Sequence, residues 1–182
     1  MNNLIMFTLR IYQMLLFLCN GTYTYWEDYS KQEQESILEE LPPNSDLKAI
    51  YFGEFVPTDN ERTFHLLEDL CSQCEDTERN LKFYTLNKII VNADGALGEI
   101  VGAYCLFFFK MNTKYVLHYF QRNEKIREEY VQCISAELYH QESVKKVLKQ
   151  IRKRSHLDKE EEFLFDLFIR DVKKNYMLIK NS

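Results

Sequence analysis

Apolar positions along this chain recur at helical rather than strand spacing. Glu33 to Leu41, EQESILEEL, is helix-forming and is stopped by Pro42-Pro43. Asn44-Ser45-Asp46 supplies capping residues for a short helix over LKAIYFGEF. After Pro57, Thr58 or Asp59 can cap a helix through Phe64, Leu67 and Leu70. The next helix is predicted from about Glu75 to Val91, and Asn92-Ala93-Asp94-Gly95 breaks it. Ala96 to Phe109 is strongly apolar; its weak alternation and β-branched residues leave room for a strand, but flanking helices favour helix. Glu124 to His140, Ser143 to Arg154 and Lys159 to Lys174 read as charged amphipathic helices, the last with a stripe of Phe163, Leu164, Leu167, Phe168 and Val172. The predicted class is all-α.

The first residues change this picture at one end. Arg10, the apolar run Ile11 to Leu18 and the small or polar exit Cys19-Asn20-Gly21 together have the three parts of a secretory signal. The run is shorter than the roughly 18 to 20 residues of a membrane span. The expectation is a signal over residues 1–21 and a secreted product, with an amphipathic first helix as the alternative. No stable membrane insertion is expected. The sequon Asn20-Gly21-Thr22 lies at the cleavage position and carries little weight.

The 182 residues hold 28 acidic and 23 basic side chains, for a net charge of -5. A general positive field for nucleic acid is therefore absent, and no nucleic-acid partner is expected. The basic run Lys145, Lys146, Lys149, Arg152, Lys153 and Arg154 is followed by Asp158, Glu160, Glu161 and Glu162, and reads as a solvated helix face. His65, His118, His140 and His156 are scattered, without acid or nucleophile partners at a suggestive spacing. No glycine-rich phosphate loop or paired-carboxylate motif occurs. The expectation is a protein that is not an enzyme and that carries no catalytic residue, metal or cofactor.

The sharpest local feature is Leu70-Cys71-Ser72-Gln73-Cys74. A zinc site needs a second ligand pair, and Cys105 and Cys133 stand alone. A thioredoxin-like pair needs a preceding strand and a βαβ setting, which the pattern does not provide. A small structural disulfide between Cys71 and Cys74 suits a secreted helical chain. Removal of Cys19 with the signal leaves an even number of cysteines. Cys105 and Cys133 either form a second bridge, tying the later helices to the core, or remain buried thiols.

The surroundings of this motif resemble the insect chemosensory protein family, small secreted carriers of hydrophobic ligands. Thr22-Tyr23-Thr24 is similar to that family's mature start, and Ile37-Leu38, Leu47-Lys48-Ala49 with Tyr51, and Pro57-Thr58-Asp59 follow in order. Beyond Cys74, the pair Ile89-Ile90, then Asn92, Leu97, Glu99-Ile100 and Tyr104 continue the likeness without a gap. The chain departs from the family in three places. The earlier cysteine pair is missing, since Ile50 to Phe55 contains none; Leu97 stands where Trp is usual; and the chain runs on to Ser182.

The resemblance implies a chemosensory-protein-like domain over residues 22–115, with a charged helical extension over 116–182. It also implies a bundle of about six helices, with additional C-terminal helices, around an apolar cavity for a small hydrophobic ligand, fatty-acid-like or pheromone-like. Its ligand-facing positions would be Tyr23, Tyr25, Leu67, Phe83, Tyr84, Leu97, Ile100 and Tyr104, with Tyr23 and Tyr25 at the mouth. The bland counterpart is that these aromatic stripes are core. A protein partner is not identified by the sequence.

An alternative of a different class starts from Asp94-Gly95 followed by Leu97-Gly98, Ile100-Val101-Gly102-Ala103-Tyr104, which faintly resembles the central hydrophobic helix motif of the Bcl-2 family. It implies an intracellular helical interaction protein. The motif's Trp and Arg are absent, and Glu99 has the opposite charge. A saposin-like lipid-binding fold is a third reading, from Cys71 and Cys74 followed by two distant cysteines, though the remaining cysteines of that pattern are missing.

Overall fold

The computed structural model describes residues 23–139 and 144–181. The expected signal at residues 1–21, with Cys19 and the sequon, lies outside the described residues, as does His140. The described residues form a 3-10 turn, Trp26–Asp28, and nine α-helices. These are α1 Lys31–Glu40, α2 Asp46–Tyr51, α3 Glu61–Leu70, α4 Asp76–Asn92, α5 Gly95–Met111, α6 Thr113–Arg122, α7 Glu124–Tyr139, α8 Val144–Ser155 and α9 Lys159–Asn181. No strand occurs among the described residues, so the all-α class holds and Ala96 to Phe109 is helical.

Local chemistry explains the helix starts. Ser30 and Glu33 form a capping box at α1: Ser30 Oγ accepts from Glu33 N, and Ser30 N donates to the Glu33 carboxylate. Asp158 and Glu161 do the same at α9, each backbone N–H donating to the other's carboxylate at 2.9 Å. At α3 the cap is Asn60, one residue beyond the expected Thr58 or Asp59. Asn60 Oδ1 accepts from Thr63 N at 2.9 Å, while Thr58 instead donates its N–H to Thr63 Oγ1 and accepts from the Asn60 amide.

Three elements differ from the sequence pattern. α2, expected over residues 47–55, ends at Tyr51, because Gly53 turns the chain at a φ of +73°. α6 was not expected, because the one-residue break at Asn112 hides a new start behind the long apolar run of α5. α9 continues past Lys174 to Asn181, beyond its last buried residue, Val172.

α4 is the centre of the molecule. Asn80, Leu81, Lys82, Phe83, Thr85, Leu86, Asn87, Ile89 and Ile90 are all buried, so this helix is covered nearly all round rather than on one stripe. α2 and α3 lie against it on one side, and α5, α7 and the Trp26 turn on the others. α5 packs most extensively on α7, and α7 on α9. One core cluster takes residues from Tyr25 to Val172. Phe83 stacks on Phe108 with centroids 5.1 Å apart, and Phe109 and Phe120 meet Phe168 of α9 at 4.9 and 5.1 Å.

The segment before α1 is fastened by tyrosines. Tyr25 donates its hydroxyl to the Tyr115 carbonyl at 3.0 Å, Tyr115 donates to Asn80 Oδ1 at 3.0 Å, and Asn80 Nδ2 donates to the Tyr29 hydroxyl at 3.0 Å. Tyr119 donates to Glu27 at 2.7 Å. These bonds satisfy polar groups buried around α4, which lets the chain carry so much aromatic surface inside.

Candidate functional site

A half-open groove of about 480 Å3 lies between the end of α2, the segment that follows it, α4 and the start of α5. Its outer wall is a short loop with a specific cause. α2 ends at Tyr51, Phe52 continues in the right-handed region, and Gly53 has a φ of +73°, which a side chain would oppose. The reversal lets Glu54 N and Phe55 N both donate to the Ala49 carbonyl, at 2.7 and 3.2 Å. Phe55 then turns into the core under the Arg62 guanidinium, 3.9 Å from its ring. Phe52 and Val56 face solvent at the rim, 54% and 74% exposed.

The inner wall comes from helical spacing. Tyr84, Lys88 and Asn92 are four residues apart on α4 and share one face, with Ile89 beside them. Tyr84 is held at the groove by the rings of Trp26 and Tyr51, at 6.2 and 6.3 Å. Lys88 Nζ lies 5.3 Å from the Tyr84 ring centre, and Asn92 Nδ2 donates to the Lys88 carbonyl at 2.7 Å. Leu97, in the first turn of α5, is buried and closes the floor. The groove is thus more apolar than polar, with a single ammonium group in its lining.

The structure scatters the eight ligand positions implied by the resemblance. Only Tyr84 and Leu97 line this groove. Leu67 and Phe83 are fully buried in the core, and Tyr25 is buried against Tyr115 and Tyr119. Tyr23 is half-buried on the far side of α6, with its ring on Tyr115 and His118. Ile100 and Tyr104 are half-buried on α5. Phe52, Val56, Lys88 and Asn92 were missed by sequence reasoning. The one available signal was the run Tyr51-Phe52-Gly53-Glu54-Phe55-Val56-Pro57, too apolar for an ordinary loop.

The cysteines correct an expectation. Cys71, Cys74, Cys105 and Cys133 are all free thiols, and neither the Cys71–Cys74 nor the Cys105–Cys133 bridge is formed. Cys71 closes α3 in a right-handed conformation and is drawn inward, its Sγ 3.6 Å from the Tyr104 carbonyl. Burial pushes its pKa up to about 12. Ser72, between the two cysteines, accepts from the Lys82 ammonium at 2.7 Å, so this turn is fastened by a charge-assisted hydrogen bond instead. Cys105, fully buried on α5, shares a hydrogen bond with Cys133 on α7. Burial raises the Cys105 pKa well above its ordinary value, and the hydrogen bond from Cys105 lowers that of Cys133.

No cluster of three or more His, Cys, Asp or Glu side chains suited to a metal occurs among the described residues. No helix among them is long and apolar enough to cross a membrane. No protein-family model, curated protein or solved structure matches the chain.

Proposed function

We propose that the protein binds a small single-chain amphiphile, a fatty-acid-like molecule, in the groove between α2, α4 and α5. The carrying observation is the groove itself: about 480 Å3, more apolar than polar, with Phe52 and Val56 left exposed at its rim. That volume lies within the range of about 300–1,000 Å3 usual for small-molecule sites. An exposed aromatic and an exposed β-branched residue four positions apart at one rim offer apolar surface that a ligand tail would cover, each buried methylene contributing about 0.8 kcal/mol. Lys88 supplies the single positive charge to receive a carboxylate head. This reading keeps the hydrophobic-ligand expectation and moves the site away from Leu67 and Phe83.

The Bcl-2-like alternative has less support. Its motif lies on α5, where Glu99, Ala103 and Phe107 are exposed, while the helix covered nearly all round is α4.

Trp26, the chain's single tryptophan, touches both Tyr51 and Tyr84 and can report on the groove. Titration with dodecanoate is expected to change Trp26 emission saturably, and dodecanol to bind more weakly. Val56→Glu, on a surface loop, is expected to abolish both responses. Lys88→Gln is expected to remove the preference for the acid and to spare the alcohol. Absence of saturable binding of either molecule to the wild-type chain would refute the proposal.

A further inference from the structure

A second cavity, sharing no lining residue with the groove, has the opposite chemistry. It measures about 270 Å3 and is bounded by Tyr23, the end of α5, the start of α6 and the end of α8. Arg79, Lys110, Lys114 and Arg154 all line it, and no acidic residue does. Four cations around one small cavity contrast with a chain whose net charge is -5.

We infer that this cavity is a phosphoryl-anion site, built to take a phosphate or diphosphate group.

The charges are only partly neutralised from outside the cavity. Lys114 pairs with the buried Glu161 at 3.0 Å, and Arg79 with the exposed Asp76 at 3.0 Å. Lys110 and Arg154 have no ion-pair partner among the described residues. Two cations therefore remain for an incoming anion, a better match to a phosphoryl dianion than to a single carboxylate.

Arg79 carries a further mark. Its guanidinium lies 4.4 Å from the centre of the Tyr115 ring, and its Nε is buried without a hydrogen-bond acceptor. Buried donors are nearly always satisfied, and a bound oxyanion at a residue lining the cavity would supply what this one lacks.

The backbone is mixed at this point: α6 begins at the cavity, while α5 and α8 end at it. Asn112, Thr113 and Lys114 line the cavity where α6 begins. Asn112, at the cap position, turns its amide back to the Phe108 carbonyl and makes no cap bond. The N-terminus of this ten-residue helix lies at the cavity without a side-chain cap, but the C-terminal ends of α5 and α8 lie there too, so the positive charge of the site comes from its side chains. Lys145, Lys149 and Lys153 of α8 are exposed and do not line the cavity, so the site is narrower than the basic run of that helix.

The phosphoryl group could belong to a soluble metabolite or to a lipid headgroup, and two measurements separate these. Pyrophosphate is titrated calorimetrically into the full chain at fixed ionic strength. It is expected to bind, with Lys110→Gln and Arg154→Gln each weakening it about tenfold. Lys145→Gln and Lys149→Gln, which remove the same charge elsewhere, are expected to change it by less than about twofold. All four positions are partly or fully exposed, so folding is not at stake. In the second measurement, co-sedimentation with phosphatidylcholine vesicles containing phosphatidic acid, reversed by pyrophosphate, assigns the site to a headgroup. No co-sedimentation, with pyrophosphate still binding, assigns it to a soluble phosphate compound. No pyrophosphate heat, or equal losses in all four variants, overturns the inference.

Discussion

Gly102 of α5 lies against the carbonyl of Cys133 on α7: a Cβ at Gly102 would stand 3.0 Å from that oxygen and 3.4 Å from the Glu137 Cβ. The obstacle is backbone, which cannot rotate away. This close approach underlies the extensive packing of α5 on α7. It also brings Cys105, one turn further along α5, within hydrogen-bonding reach of Cys133.

Two glycine-to-alanine variants on the same helix should therefore move in opposite directions. Gly102→Ala gains about 1 kcal/mol of helix propensity but forces α5 and α7 apart, a strain of about 1–3 kcal/mol, and is expected to destabilise the protein. Gly98→Ala meets no atom within 4 Å and should stabilise by about 0.5–1 kcal/mol. Urea midpoints of the two variants against wild type are the check; stabilisation by Gly102→Ala would show that the helices can separate freely.

Lys82 is buried, with its ammonium on Ser72 Oγ at 2.7 Å, Glu78 at 2.8 Å and Asp69 at 3.2 Å. Both carboxylates are about half exposed, so removing the lysine leaves them in contact with water rather than stranded. Lys82→Met should accordingly cost only about 1–2 kcal/mol, less than breaking a fully buried pair.

The pH dependence has a definite sign. Burial alone would lower the Lys82 pKa, but the hydrogen bonds its ammonium donates to Glu78 and Asp69, with their charges, outweigh it and raise the value above 10.5. The contribution is complete below pH 10.5 and fades as pH climbs through the higher folded value. The stability gap between wild type and Lys82→Met should be constant near neutrality and narrow as pH rises beyond 10.5. A gap unchanged at high pH would remove the charge from the explanation.

Tyr130 is fully buried between Phe83 and Phe120, and its hydroxyl has no hydrogen-bond partner among the described residues. Removing an unsatisfied buried hydroxyl while keeping the ring should be neutral or stabilising by up to about 1 kcal/mol. Tyr130→Phe, followed by thermal denaturation, tests this. A marked loss of stability would reveal an acceptor for that hydroxyl.

The thiols should react in an order set by burial and local charge. Cys133 is half-buried with a lowered pKa, and Cys74 is half-buried with a pKa that burial raises, whereas Cys105 is enclosed and Cys71 is held at a pKa of about 12. Iodoacetamide on the native protein, mapped by peptide mass, should label Cys74 and Cys133 first and Cys105 only on unfolding. Early labelling of Cys105 would mean that the α5–α7 contact opens readily.

Much of the helical plan was present in the residues themselves. Pro42-Pro43, Asn92 to Gly95 and the capping residues punctuate the chain through local backbone chemistry, and α1, α4, α5, α7 and α8 begin and end within about two residues of expectation. Local signals failed where one element hid another. The single-residue break at Asn112 has no strong breaker, and the start of α6 became visible only through the packing of Tyr115, Val116, Tyr119 and Phe120.

What only the tertiary structure decided was which side of each helix meets another chain segment. Phe83 and Tyr84 are neighbours of similar character in sequence, yet Phe83 is stacked on Phe108 while Tyr84 lines a groove. Cys71 and Cys74 have the spacing of a bridge, yet one thiol is drawn toward Tyr104 and the turn is held by Lys82. Residue type and spacing determine that a position is helical and apolar, because those are local energies. Whether it faces a core, a groove or a cavity lined by Arg79 and Arg154 depends on contacts between residues far apart in the chain, which local energies do not encode.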